Sequence, residues 1–344
     1  MSIGDLLKNF LFKPIKKTNA QVDVSKDKWT EILRNISEIE GVKIDDFLYH
    51  QWLSKYERYV PAKKLFKSIK KKITQTKAKE YLDDLHTDVV IYKKLIDPSA
   101  IIWGKNDVKI YNSLRALKVF RVKQQIPFIL SVLRELKTNN LKNGRVSEIL
   151  DEIEKFHFVF SAVTSQRSSG GISSMYAKHA IDLSERKTTE EKIAVLVSLK
   201  SELKRRIPSY QEFEANFDEI IYTNENASQK KLVQYILAKI HDYHQPEIPI
   251  DYEQMTIEHL FPQNPSNSYS LPSETVGKIG NLILLTQQDN NELSNKNFAQ
   301  KIFYLKDTNI WVDEDIKNAT SWGKAEIEQR TKKLAKLAYD VIWN

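Results

Sequence analysis

No cysteine occurs anywhere in the chain, which excludes disulfides and thiolate zinc knuckles and fits a reducing, cytoplasmic setting. Glycine and proline are scarce, nine and ten in 344 residues, so the chain has few of the residues that break helices or make tight turns. No stretch approaches the roughly eighteen consecutive apolar residues that a membrane span requires. The opening "MSIGDLLKNFLFKP" is too short and too charged to be a secretory signal. Nothing repeats at a fixed period.

What is present is a long soluble chain with a positive excess. At 344 residues and 41% hydrophobic content it can bury two cores. The formal charge of +8 leans towards an acidic partner, nucleic acid above all. The excess is clustered. "AKKLFKSIKKKITQTKAK" (62–79) holds eight lysines, among them Lys63, Lys64, Lys67, Lys70, Lys71 and Lys72, and "LKRRIP" adds Arg205 and Arg206. Either run also reads as an ordinary solvated helix face, so charge alone does not decide between the two.

Apolar residues recur at helical spacing along most of the chain. In "DKWTEILRNISEI" (27–39), Trp29, Ile32, Leu33 and Ile36 form one stripe, and "IPFILSVLRELKTNN" (126–140) begins with a proline well placed at a helix start. "SEILDEIEKFHFVFSAV", "TEEKIAVLVSLKSELKRR" and "SQKKLVQYILAKIHDYH" continue the pattern, with "RSSGGISS" (167–174) as a flexible turn. Trp29, Trp52 and Trp103 read as core. The texture changes near residue 245, where five of the ten prolines crowd into the next thirty or so positions. "VGKIGNLILLT" (276–286) then reads as a turn feeding a short buried strand. "NNELSNKNFAQKIFYL" reads as one short helix with Leu293, Phe298 and Ile302 inward, and "KAEIEQRTKKLAKLAYDVIW" (324–343) as a long basic closing helix. The expected fold is mainly α: a helical domain over 1–245, then a compact strand–strand–helix unit and a closing helix over 246–344.

That compact unit carries the chemistry. "MTIEHLFPQNP" (255–265) puts Glu258 and His259 side by side before a proline, "GNL" supplies Asn281, and the next helix start supplies Asn290. Phosphodiester hydrolysis needs a base for the attacking water and a cation to neutralise the phosphate and departing oxygen. Imidazole suits the first task. A hard cation such as Mg²⁺ keeps several waters and accepts one carboxylate and one amide oxygen. Glu258, His259 and Asn290 supply that set, with Asn281 available to hold the loop or the imidazole. The remaining histidines are less informative: His157 reads as core, His241 and His244 as a wet helix end rather than a metal pair, and His50, His86 and His179 carry no recognisable chemistry.

"IEHLFPQN" followed by "IGNLILLTQQDNNELSNKNFAQK" resembles the C-terminal nuclease domain of GmrSD-type, modification-dependent restriction endonucleases, within the wider HNH or ββα-metal group. The resemblance implies a DNA endonuclease of bacterial anti-phage defence using one divalent ion, Mg²⁺ or Mn²⁺. By position it makes His259 the base and Asn281 the middle asparagine of the catalytic motif. Glu258 and Asn290 become the metal ligands, with Asn291 as the alternative to Asn290. An asparagine in the last place departs from the literal HNH pattern. Ser294, Asn295, Phe298 and Lys301 match the motif's tail, and Lys301 joins Lys63–Lys72, Arg205 and Arg206 as an expected DNA contact.

"FLYHQWLSKYERYVPAKKLFKSIK", "FHFVFSAVTSQ" and "YILAKI" look like the family's helical connector, and "IGDLLKNFLF" (3–12) like the end of its nucleotide-dependent sensor domain. No glycine-rich phosphate loop and no "DGQQR"-like motif occurs, so no nucleotide cofactor is expected and the sensor half is expected to be missing. The apolar 3–12 segment must then cover itself on the helical body or on a second copy, making a homodimer. Two rival readings share the fold: an inactive DNA-binding remnant, and a subunit active only with a separate sensor protein. The partner is DNA, modified or not, with no role for a membrane.

Overall fold

The computed structural model describes residues 2–13, 19–165, 170–265, 270–306 and 311–344. Helices dominate, as the scarcity of breakers requires, and none of those described is long and apolar enough to cross a membrane. The chain divides into two compact units, one of residues 1–154 and 168–206, the other of 155–167 and 207–344. The composition shift at 245 predicts a boundary there. Packing instead assigns helix Lys230–His244 to the second unit, because its inward residues Val233, Tyr235, Ile236 and Ile240 are core there.

Among the described residues the regular elements of the first unit are all helices. Helix Asn19–Ser37 buries Trp29, Ile32 and Ile36 as its stripe requires, but Leu33 is 40% exposed at the stripe's margin. Trp52 is core; Trp103 is only half-buried, its indole donating to the Pro98 carbonyl at 2.8 Å. Helix Thr189–Lys204 starts on a capping box between Thr188 and Glu191. Part of the expected turn at 167–174 lies outside the described residues, and from Gly170 onward that segment is already helix, Gly170–Glu185. The N-terminal helix Ile3–Phe12 buries Leu7 and Leu11 within this unit, and Asp45 accepts from the amide of Gly4 at 3.0 Å. The helical body thus covers Leu7 and Leu11, while Leu6, Phe10 and Phe12 are half-buried.

The unit is held internally by a buried, two-pronged ion pair. Arg134 donates through Nε and Nη2 to the two oxygens of Asp88, both at 2.9 Å, and Gln51 Nε2 adds a third bond at 3.0 Å.

In the second unit, strand β1 (Thr256–His259) pairs antiparallel with β2 (Leu282–Leu285), Glu258 opposite Ile283 and His259 opposite Leu282. Two helices follow rather than one: Gln287–Leu293 and Phe298–Lys306. The break falls at Ser294, which takes a left-handed φ of 42° and ends the first helix as a positive-φ residue does. Leu293 and Ile302 still face inward, joining Leu260, Ile283, Leu285, Leu305 and Ile316 in one apolar cluster against which Phe298 packs.

The closing helix Lys324–Leu337 seats on the turn before β2. Gly280 permits that approach: a Cβ there would lie 2.2 Å from the Ile327 carbonyl oxygen and 2.7 Å from the Thr331 nitrogen. Arg330, buried in that helix, donates to Asp313 at 2.7 Å and to the carbonyls of Gly280 and Leu282, each at 2.9 Å. The strand–strand–helix order expected here is present, as a ribbon of two four-residue strands.

Candidate active site

Every residue of the predicted constellation lies in the second unit. Glu258 and His259 end β1 and are 6% and 5% exposed. Alternation along the strand sends their side chains to different neighbours. His259 turns to the segment after helix Tyr210–Asp218, where its Nε2 lies 2.9 Å from the Tyr222 carbonyl oxygen. A carbonyl only accepts, so Nε2 carries the proton and Nδ1 keeps its lone pair. Gln263 Nε2 donates towards that Nδ1 at 3.3 Å, while Gln263 Oε1 accepts from the Asn224 amide at 2.9 Å. Burial pushes the His259 imidazole down to about 4, so the ring is neutral at physiological pH with its free nitrogen defined.

Asn281 is fully buried and spends its whole side chain on the loop after β1. Its Oδ1 accepts from the Phe261 amide at 2.8 Å and the Trp322 indole at 3.1 Å. Its Nδ2 donates to the carbonyls of Phe261 and Val276, at 2.9 and 2.8 Å. An amide with every capacity used is not free to touch a reacting group. Of the two roles open to Asn281, the structure shows the loop clamp. The expected catalytic role becomes one of position, fixing where β1 ends.

Asn290 and Asn291 separate just as clearly. Asn290 Nδ2 donates to the Ile257 carbonyl of β1 at 3.2 Å, and among the described residues none donates to its Oδ1. Asn291 is exposed and accepts from Gln287 in its own helix at 2.8 Å. Asn290 is thus the amide held against the strand that bears Glu258.

Lys301 is not where a DNA contact must be. Helix Phe298–Lys306 places Phe298, Lys301, Ile302 and Leu305 at the i, i+3, i+4, i+7 spacing of one inward face. Lys301 is consequently 1% exposed, with Nζ 2.5 Å from Glu258 Oε1 and 2.5 Å from the His259 carbonyl oxygen. The same spacing was available in the sequence as the signal that this lysine is internal. Tyr222 and Gln263 carried no such signal. Tyr222 offers its backbone carbonyl and a ring stacked on the imidazole with centroids 5.8 Å apart, and it lies 37 residues from His259 in the chain.

Burial raises the Glu258 carboxyl and lowers the Lys301 ammonium, and each opposes that shift in the other through its charge. Oε1 of Glu258 makes no properly angled hydrogen bond although it is 2.5 Å from Nζ; the distance makes the two an ion pair.

The other expected DNA contacts lie in the first unit. Lys63, Lys64, Lys67, Lys70, Lys71 and Lys72 are all exposed, over a buried Leu65 and Ile69. Lys72 donates to the Tyr56 carbonyl at 2.6 Å. Arg205 is exposed, but Arg206 is half-buried and paired with Glu202 at 2.6 Å, so it is spent inside its own helix end. His157 is core and within reach of Ser161 Oγ at 2.9 Å. His241 is buried rather than wet, and His244 stacks on Trp311 with ring centroids 4.1 Å apart. Among the described residues no group of three or more His, Cys, Asp or Glu could hold a metal ion.

Comparison with known families agrees with the geometry. The model of the GmrSD restriction endonucleases, C-terminal domain, matches residues 207–337. That stretch of the chain is similar to a GmrSD C-terminal domain. The matched segment starts where the second unit resumes, at 207, and contains Tyr222, Glu258, His259, Asn281, Asn290 and Lys301. A search among curated proteins finds no match.

Proposed function

We propose that the chain is a metal-dependent DNA endonuclease of the ββα-metal type, serving bacterial restriction, with His259 as its general base. The observation that carries this reading is the pairing of His259 Nε2 with the Tyr222 carbonyl at 2.9 Å. It fixes the tautomer that a base needs and points Nδ1 at a neighbour, Gln263, that is only weakly engaged. Water replacing the Gln263 side chain there would give up its proton to Nδ1.

Glu258 and Asn290 would hold one Mg²⁺ or Mn²⁺. The donor set fits: one carboxylate and one amide oxygen that accepts no other bond among the described residues, both hard oxygens, leaving room for water and phosphate. When bound, such an ion supplies charge neutralisation at the phosphate and the departing oxygen. Asn281 keeps β1 from sliding against the turn that precedes β2. The presence of all three of Glu258, His259 and Asn290 at the end of β1 and on the helix after β2 supports an active enzyme over a remnant that merely binds DNA. A cytoplasmic setting and a DNA substrate, modified or not, belong to the same reading; dependence on a separate sensor subunit is its rival.

The test is cleavage of plasmid by the purified chain with Mg²⁺, Mn²⁺ or EDTA. Nicking or linearisation that needs the cation and disappears in His259→Ala is expected. Cation-independent cleavage, or cleavage undiminished by His259→Ala, would overturn the assignment.

A further inference from the structure

Lys301 has no part in the reaction as described, yet it touches both residues that do. Its single ammonium, 1% exposed, reaches Glu258 Oε1 and the His259 carbonyl oxygen, each at 2.5 Å. Oε1 is wholly buried and has no hydrogen-bond partner, so what little of the Glu258 side chain solvent reaches belongs elsewhere on it. The lysine therefore occupies the inner carboxylate oxygen and leaves Oε2 as the one a cation can approach. A lysine suits this place because its compact ammonium donates in three directions from a thin apolar stem. The stem fits the stripe of Phe298, Ile302 and Leu305.

We propose that Lys301 is a positioning residue for the metal centre: it holds the ligand carboxylate by its inner oxygen and ties the backbone of the base to the same ammonium. This rests on the nuclease reading above, in which Glu258 ligates the cation. Groups behind metal ligands commonly change metal affinity by about 10- to 100-fold when removed. A lysine that only neutralised a buried carboxylate would change the stability of the fold and leave the affinity of the folded protein alone.

The experiment is Mn²⁺ binding to the full chain without DNA, followed by the paramagnetic resonance of free Mn²⁺, for the wild type, Lys301→Met, Lys301→Arg and Glu258→Gln. Lys301→Met keeps the stem and removes the charge; its Mn²⁺ Kd should rise about 10- to 100-fold in protein shown to be folded by circular dichroism. Lys301→Arg keeps the charge but displaces it, and its Kd should rise as well. An unchanged Kd in either folded variant overturns the positioning role, and a tighter Kd in Lys301→Met shows instead that the lysine competes with the cation. Should loss of the charge prevent folding, Lys301→Arg decides alone. Glu258→Gln separates the two levels: if the wild type binds no Mn²⁺, or Glu258→Gln binds it equally well, the metal assignment itself fails, whatever Lys301 does.

Discussion

Among its described residues the second unit contains two buried ion pairs that differ in how completely they are satisfied. Arg330 meets Asp313 at 2.7 Å and also donates to the carbonyls of Gly280 and Leu282, so one guanidinium closes the turn, the strand entry and the closing helix together. Lys301 meets Glu258 at 2.5 Å, but the carboxylate oxygen it faces makes no hydrogen bond. Burying charge is tolerated when every partner is in place and costly when one is not. The complete pair therefore reads as architecture. The incomplete pair sits beside a strand end that carries a neutral, tautomer-fixed histidine.

The largest effect should come from the incomplete side. His259→Ala is expected to reduce cleavage by about 10²- to 10⁴-fold while leaving thermal unfolding nearly unchanged, because the ring's protein bonds are one to a carbonyl and one long one to Gln263. Kinetics on plasmid alongside calorimetry check both halves. A large drop in stability together with the drop in cleavage would make His259 a structural residue like Asn281.

Next comes the complete pair, where the effect should be on stability instead. Arg330→Met leaves Asp313 buried without its partner and frees the carbonyls of Gly280 and Leu282, which should cost about 3–5 kcal/mol. Denaturant unfolding measures it. A cost below about 1 kcal/mol, the range of an exposed pair, would mean that the closing helix is held by its apolar face and that the two pairs are not different in kind.

A third measurement separates the pairs by ligand. A cation that binds the folded state alone stabilises it by about 2.7 kcal/mol at a hundred times its Kd. Mn²⁺ should therefore raise the unfolding temperature of the wild type and of Asp313→Asn, and leave that of Glu258→Gln where it was. An equal rise in all three would place the cation elsewhere on the chain.

How far the sequence foretold this arrangement varies with how local each feature is. Glu258, His259, Asn281 and Asn290 were legible because they sit at fixed offsets within two short strands and a helix start. So were the buried stripes of Trp29, Ile32 and Ile36. Roles decided by neighbours distant in the chain were not. Asn281 was open between two tasks until Trp322 and Phe261 filled its amide. The stretch 290–305 reads as one helix because its apolar residues run on past Ser294, whose positive φ no side-chain pattern announces. Lys301 was read as a DNA contact by its charge, although its place in the Phe298–Leu305 stripe marked it as internal. The boundary at 245 followed proline density, whereas units are defined by which apolar faces meet.

The smallest effect concerns the lysines that the first unit leaves outside. Charge is used internally at Lys301 and Arg330; Lys63, Lys64, Lys67 and Lys71 are exposed, and the structure gives their ammonium groups no partner among the described residues. Reversing exposed charges of this kind usually changes fold stability by less than about 0.5 kcal/mol, so unfolding should not register Lys63→Glu, Lys64→Glu, Lys67→Glu and Lys71→Glu together. If these lysines meet phosphates, DNA affinity should fall by a similar factor whatever the sequence. The slope of log K against log salt should flatten by about 0.9 for each phosphate that no longer meets a lysine. Fluorescence anisotropy with duplexes of two unrelated sequences over a range of salt concentrations reads both quantities. An unchanged slope would identify the run as a solvated helix face over Leu65 and Ile69, and the search for the DNA path would move to Arg205 and to the surface of the second unit itself.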